Sequence, residues 1–205
     1  VTKPRRIPEL GARRLLVVGT GAIAAMHLPS WLTWLTTSYP DLEVRVVLTP
    51  SAERFVSHEA LSMLIRDEVT TDRWPAEPST QALHVRLAEW SEAIAVYPAC
   101  LNYVSRLALG LGDTPSLLAL QCTAAPIGIA PSLPPGALNN PTFRAHLTTL
   151  AERPNVVVAP TLPAVSAATG RADAAGAPPL WALIELIERL RLDLAAGETR
   201  PADVG

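Results

Sequence analysis

Ala93-Ile-Ala-Val-Tyr-Pro-Ala-Cys-Leu-Asn102 is the stretch on which the fold of this 205-residue chain turns. Residues 93–97 form a short, unbroken apolar run, as expected for a strand covered on both faces of a parallel sheet. Pro98 lacks an N–H and ends the run. Residues 99–102 then make a small polar loop carrying Asn102, ahead of a helix predicted over 103–111. In open α/β sheets, ligands bind beyond the carboxyl ends of the strands. A proline, small residues and an amide at such an end suit a flat or anionic ligand lying against backbone.

Toward the N-terminus, Leu15-Leu-Val-Val-Gly19 is a second buried-strand run, and Gly19-Thr-Gly21 turns the chain. Residues 22–36 have helical spacing, with Ile23, Met26, Leu32 and Leu35 on one face and Pro29 as an early kink. Residues 43–48 form another strand, closed by Thr49-Pro-Ser51, with Ser51 placed to cap a helix over 52–64. Residues 66–83, polar and carrying Trp74, Pro75 and Pro78, read as a surface excursion. His84-Val-Arg-Leu87 reads as a short extended piece. Beyond Gly110 and Gly112, residues 117–122 are apolar without a decided type, 127–130 form a strand and 131–136 a proline-rich loop. Asn140 and Pro141 open a helix reaching about Glu152, and residues 155–159 are the last strand. Residues 161–179, rich in Ala, Gly, Pro and Thr, read as mobile, and 180–195 as an amphipathic helix.

Strands alternating with helices predict an α/β protein, a doubly wound Rossmann-like (flavodoxin-like) parallel sheet in a single domain. Right-handed crossovers put every strand-end loop on one rim. Residues 19–22, 49–51, 98–102 and 130–135 should therefore converge.

Hydrophobic residues make up 49% of the chain and charged residues 18%, the balance of a globular protein. A net charge of -2 gives no reason to expect nucleic acid or an anionic membrane as partner. No apolar run is long enough to span a bilayer. Cys100 and Cys122 do not make a disulfide framework, which leaves the cytoplasm as the default compartment. The basic N-terminus lacks an apolar segment with a cleavage site and reads as a disordered lead, not a signal peptide. Val1 is compatible with an alternative start codon read literally.

Gly19-Thr-Gly-Ala-Ile-Ala24 matches a dinucleotide fingerprint loosely, and a plain strand-to-helix turn explains it equally well. An NAD site wants an acid at the end of the second strand; Thr49-Pro-Ser51 offers hydroxyls and N–H groups instead, which suit a phosphate-bearing cofactor of the flavin type. His84 stands beside the rim and can take a proton near neutral pH. His27, His58 and His146 fall on predicted helices, where a surface or satisfied role is expected. Cys100 has no evident basic partner and reads as a small buried filler rather than a nucleophile. Zinc-ligand spacing, a Gly-x-Ser-x-Gly elbow and a P-loop are all missing, so no metal site is expected.

The run from His84 through Asn102 resembles the histidine and the Pro-Ala-Ser-Ala-Asn-Thr motif of the homo-oligomeric flavin-containing cysteine decarboxylases. Thr20-Gly-Ala-Ile-Ala24 is similar to that family's first flavin-phosphate loop, with Ala22 where a serine is usual. Thr49-Pro-Ser51 and Phe55 match its second strand end, and Gly110 to Asp113 resembles its Gly-Ile-Ala-Asp segment. Ala130-Pro-Ser-Leu-Pro134 and Asn140-Pro141 align with its Pro-x-Met-Asn-x-x-Met-Trp-x-Asn-Pro motif. Thr169-Gly-Arg171 lies where relatives carry a Gly-Arg within a mobile substrate clamp. Two departures stand out: Pro134 replaces the asparagine expected to touch the substrate, and Ala137-Leu138 replaces Met-Trp.

The resemblance implies FMN (FAD being the alternative) at a subunit interface. The implied cofactor contacts are Gly19, Thr20, Gly21, Ala22 and Ser51 around the phosphate, and Phe55, Pro98, Ala99, Cys100 and Asn102 around the ring. It implies His84 as catalytic base. Asn139, Asn140, Thr169, Gly170 and Arg171 are the substrate-side candidates, with Gly136 backbone, Asn139 or Arg171 as substitutes for the missing asparagine. The implied domain covers 13–196, with 161–179 as the clamp and flexible ends at 1–12 and 197–205. Decay of the asparagine motif favours oxidative decarboxylation of the C-terminal cysteine of a ribosomal precursor peptide, in which a thioaldehyde acts as the electron sink for loss of carbon dioxide. The product is the aminoenethiol of lanthipeptide-type natural products. Implied partners are that peptide, further copies of the chain (a trimer, or a dodecamer of trimers) and lanthipeptide-forming enzymes. Alternatives are phosphopantothenoylcysteine decarboxylation in coenzyme A biosynthesis and a non-catalytic flavin-binding partner protein.

Overall fold

The computed structural model describes residues 6–77 and 80–198; residues 1–5 and 199–205 of the expected flexible ends, and Pro78 of the expected excursion, lie outside the described residues. Six parallel strands form one sheet: β1 (Arg14–Gly19), β2 (Glu43–Leu48), β3 (Thr70–Thr71), β4 (Ala93–Ala99), β5 (Ile127–Pro131) and β6 (Val156–Val158). Their order is β3-β2-β1-β4-β5-β6, so the winding reverses between β1 and β4. This is the doubly wound arrangement expected from the alternation. Its reversal point is where such sheets open a crevice at the carboxyl ends of the strands.

The period of two along a strand divides the core. On β1, Leu15 and Val17 join the cluster covered by α1 (Leu28–Ser38), α2 (His58–Ile65) and α7 (Leu180–Glu198). Leu16 and Val18 join the opposite cluster, covered by α3 (Leu83–Trp90), α4 (Leu101–Ala108), α5 (Pro115–Cys122) and α6 (Pro141–Ala151). With both faces covered, the buried stretches of β1 and β2 are apolar, while Arg14, Glu43 and Arg45 occupy their less buried starts.

Several local expectations need correction. Pro29 does not kink a helix: residues Ile23–His27 form a separate 3-10 turn, and Pro29 sits in the first turn of α1, where its missing N–H costs nothing. Ser51 makes no side-chain cap, because its backbone (φ -74, ψ -29) is already helical where it leads into a short 3-10 turn, Ala52–Arg54. The cap of α2 is Ser57, whose extended backbone lets its hydroxyl accept from Ala60 N–H. Residues 84–87 are helical, not extended: Leu83, Leu87 and Trp90, at helical spacing, pack into the core. The central strand does not stop at Pro98 but continues to Ala99, through a register shift after Val96 that lets a proline sit in a paired strand. Asn102 lies in the first turn of α4, which ends at Ala108, before Gly110 with its positive φ. Residues 161–179 contain an antiparallel hairpin, β7 (Leu162–Ala164) with β8 (Ala174–Gly176), bridged to the β5 loop through Leu133 and Ala175.

The described part of the N-terminal lead is tied down rather than loose. Ala12 is buried, the Tyr39 hydroxyl donates to Pro8 O at 2.8 Å, and Gly11 N–H donates to Glu188 at 3.0 Å. Arg191 also binds Glu188, and these bonds outweigh burial to hold the Glu188 carboxyl below its usual range. A depressed native pKa stabilises the fold above the unfolded carboxylate value, and the stabilisation fades as pH falls through the native one. Glu188→Gln should therefore cost about 1 kcal/mol at neutral pH, lowering the melting temperature by about 2–4 °C. The difference from wild type should shrink on acidification. A gap that persists unchanged into acid would refute this account. Among the described residues no helix is long and apolar enough to cross a membrane.

Candidate active site

The strand-end loops meet at the β1/β4 reversal, and Thr20 fastens them. This fully buried residue donates its hydroxyl to Pro98 O at 2.6 Å and accepts from Cys100 N–H at 2.7 Å, while its own N–H reaches Pro98 O at 3.3 Å. The second loop is tied in by Thr49 N–H to Gly19 O at 2.9 Å, and the fourth by Ser132 N–H to Ala99 O at 2.8 Å. Two glycines are dictated by close approach. A Cβ on Gly19 would lie 2.6 Å from Leu48 Cδ2, and one on Gly21 would lie 2.4 Å from Ser51 Cβ.

The Ser51 loop is braced from outside. Glu53 accepts from Thr71 at 2.7 Å and contacts His58 Nε2 at 3.0 Å. Burial alone would raise the Glu53 carboxyl, but these bonds outweigh it and hold it below the usual range. On the inner side, the N–H groups of Gly21 and Ser51 make no backbone hydrogen bond among the described residues. The buried Thr49 hydroxyl is also without a partner. Unpaired donors around a glycine-lined turn form a cradle for an anion such as a phosphate. The site's residues therefore fit a phosphate-bearing flavin.

Beside this cradle opens a cleft of about 860 Å³, within the range of small-molecule sites. Residues 21–24, Met26, His27, residues 100–102, the loop 132–135 and the β7–β8 hairpin line it. Hairpin and sheet are linked by the Tyr97 hydroxyl, which donates to Pro178 O at 3.0 Å and whose acidity burial suppresses.

Of the residues singled out from sequence, Gly21, Ala22, Cys100, Asn102 and Thr169 line the cleft. Gly19, Thr20, Pro98 and Ala99 lie just beneath it as framework, so the Thr20 side chain is spent on the protein itself. Ser51 abuts Gly21, and Phe55 is exposed nearby; neither lines the cleft. Asn140 is committed to its helix, accepting from Thr142 and Phe143 N–H, and Arg171 is paired with Asp173. Neither these two nor Asn139 and Gly170 border the cleft.

His84 does not line this cleft. Its ring stands edge-on to Trp74 at 5.7 Å, and its buried Nδ1 has no partner. Trp74 is pinned through its indole N–H to Asp113 O at 2.9 Å, and Asp113 pairs with Arg106. Two residues before Trp74, buried Asp72 accepts from Ser116 N–H and hydroxyl at 2.8 Å, and Tyr103 bonds the same hydroxyl. Sequence reading missed His27, Ile23 and Met26 as cleft residues. They carry an apolar helical pattern that points inward on paper, yet Ile23 and Met26 are about half exposed at the cleft mouth.

Known proteins are similar to this chain in sequence and fold. A family model described as Flavoprotein matches residues 6–191. A cypemycin cysteine dehydrogenase (decarboxylating) from Streptomyces sp is 38% identical over 148 residues, covering 72% of this chain and 76% of that protein. The crystal structure of the cypemycin decarboxylase CypD matches with a TM-score of 0.74 at 32% identity, over 92% of this chain and 98% of that one. The coenzyme A biosynthesis bifunctional protein CoaBC of Haemophilus influenzae is 30% identical over 154 residues, 74% of this chain but only 38% of that longer protein. The chain belongs to the Flavoprotein family, as the resemblance of its rim motifs to the flavin-containing cysteine decarboxylases implies.

Proposed function

We propose that this protein is an FMN-dependent enzyme that oxidatively decarboxylates the C-terminal cysteine of a ribosomally made precursor peptide to an aminoenethiol, a step of lanthipeptide-type antibiotic biosynthesis. The observation that carries the reading is the Thr20-fastened junction of strand-end loops beside a cleft of about 860 Å³, in a chain similar to a cypemycin cysteine dehydrogenase (decarboxylating). When bound, FMN supplies the two-electron oxidation of the cysteine.

The protein's part is position and proton control. Ser51 hydroxyl and the free N–H groups of Gly21 and Ser51 would hold the phosphate, and Cys100 and Asn102 would border the ring over a floor of buried Pro98 and Ala99, with Phe55 nearby. His84 takes the thiol proton. A base has to come within hydrogen-bond reach of that proton, and His84 stands away from its own cleft. We therefore assign it to the cleft of a neighbouring copy in a homo-oligomer, a trimer or a dodecamer of trimers. The hairpin with Thr169 lines the cleft, and as a clamp over the bound peptide it would keep water from the oxidised cysteine. The cytoplasm, where Cys100 and Cys122 remain free thiols, is the proposed compartment.

Mixed oligomers test the assignment. His84→Asn keeps the cleft and Gly21→Val keeps the base, and each alone should be inactive. Random co-assembly should restore about a quarter of wild-type activity, because one site in four then joins an intact cleft to an intact base. Co-assembled oligomers without activity would show that cleft and base must belong to one chain. Parallel assays with phosphopantothenoylcysteine and a cysteine-ended peptide separate this reading from a coenzyme A role.

A further inference from the structure

We infer that His27 holds the terminal carboxylate of the substrate, an inference that rests on the peptide reading above. The asparagine that the resemblance leads one to expect is Pro134 here, which lines the cleft but offers no donor. The three substitutes suggested by sequence do not serve in the structure. Gly136 and Asn139 are not part of the lining, and Arg171 lies outside it with its guanidinium on Asp173 at 2.9 Å.

The described lining contains no Lys, Arg, Asp or Glu, and His27 is its one residue able to carry positive charge. The other histidines on helices predicted from sequence have partners: His58 contacts Glu53, and His146 Nδ1 contacts Ser105. His27, exposed at the end of the 3-10 turn, does not use its ring to cap α1. A carboxylate entering an apolar cleft loses hydration and requires a compensating donor. A charge-assisted bond from an imidazole N–H supplies it. A single imidazole also suits the chemistry. A stronger fixed cation would favour the ground-state carboxylate over a transition state in which its charge is leaving.

Binding of an inert ligand isolates this role from catalysis. The probe is a short acetylated peptide ending in Ala-Val-Ser, an oxygen analogue of a cysteine-ended tail, prepared as free acid and as carboxamide. Flavin-loaded wild type should prefer the acid by about tenfold, and His27→Ala should reduce that preference below about twofold at unchanged flavin content. His27→Lys should restore the preference while lowering kcat on the cysteine peptide. A preference kept in His27→Ala would overturn the assignment and leave the peptide reading standing. Loss of flavin from His27→Ala would likewise overturn it, by placing the residue at the cofactor instead. Wild type indifferent to both probes, with phosphopantothenoylcysteine turned over, would remove the peptide reading and this inference with it.

Discussion

His84→Asn should lower turnover of a cysteine-ended peptide by about 10²–10⁴-fold, the usual contribution of a positioned general base. The flavin absorption bands should be retained. The variant is informative because of what the ring does not do. Its buried Nδ1 has no hydrogen-bond partner, and its ring packs edge-on against Trp74, so asparagine removes a proton acceptor without breaking a polar contact. Stability should stay within about 1 kcal/mol of wild type, as for substitutions that touch no network. Trp74 is in turn fixed by Asp113, and the Asp72–Ser116–Tyr103 network anchors the segment that carries it. Burial with Asp72 close by pushes the Tyr103 phenol up, so the phenol keeps its proton at working pH. A variant that decarboxylates at the wild-type rate would remove His84 from the mechanism.

Thr20→Val should cost about 2–4 kcal/mol and weaken flavin retention together. Valine matches threonine in shape, so the effect isolates one hydroxyl. That hydroxyl makes two short bonds between the first and third strand-end loops, where water cannot replace it. Without it, Cys100 N–H is left unsatisfied and Pro98 O keeps only the longer bond from Thr20 N–H. Thermal unfolding followed with flavin fluorescence should show a drop of roughly 5–15 °C for a chain of this length. Thr20→Ser should stay near wild type. An unchanged melting temperature in the valine variant would mean that the rim is held some other way.

Much of the architecture was legible in the residues because long-range burial leaves a local trace. Runs such as Leu15 to Gly19 and Val46 to Leu48 are apolar because both sheet faces are covered there, and the strands observed over Arg14–Gly19 and Glu43–Leu48 begin and end within a residue of the expected ones. The Asn140-Pro141 helix start was legible for a different reason, its capping chemistry being local. The misread segments are those where two local structures share one pattern. His84-Val-Arg-Leu87 suits a strand by composition, and only packing of Leu83, Leu87 and Trp90 on the core makes it a turn of helix. The hairpin in 161–179 was illegible because Ala, Gly and Pro carry no periodic signal. Its order comes from pairing with the loop at Leu133 and from the Tyr97 hydroxyl.

By itself, then, the sequence determined the class of sheet, the rim on which the loops gather and the family whose motifs they carry. Each of these follows from short-range periodicity or from contiguous residues. Tertiary structure alone decided which of those residues reach the cleft. It committed Thr20 to the framework, turned Arg171 onto Asp173, kept His84 off the cleft lining and put His27 into it. The physical reason is that a side chain's direction and its competing partners depend on elements distant in sequence, which no local pattern records.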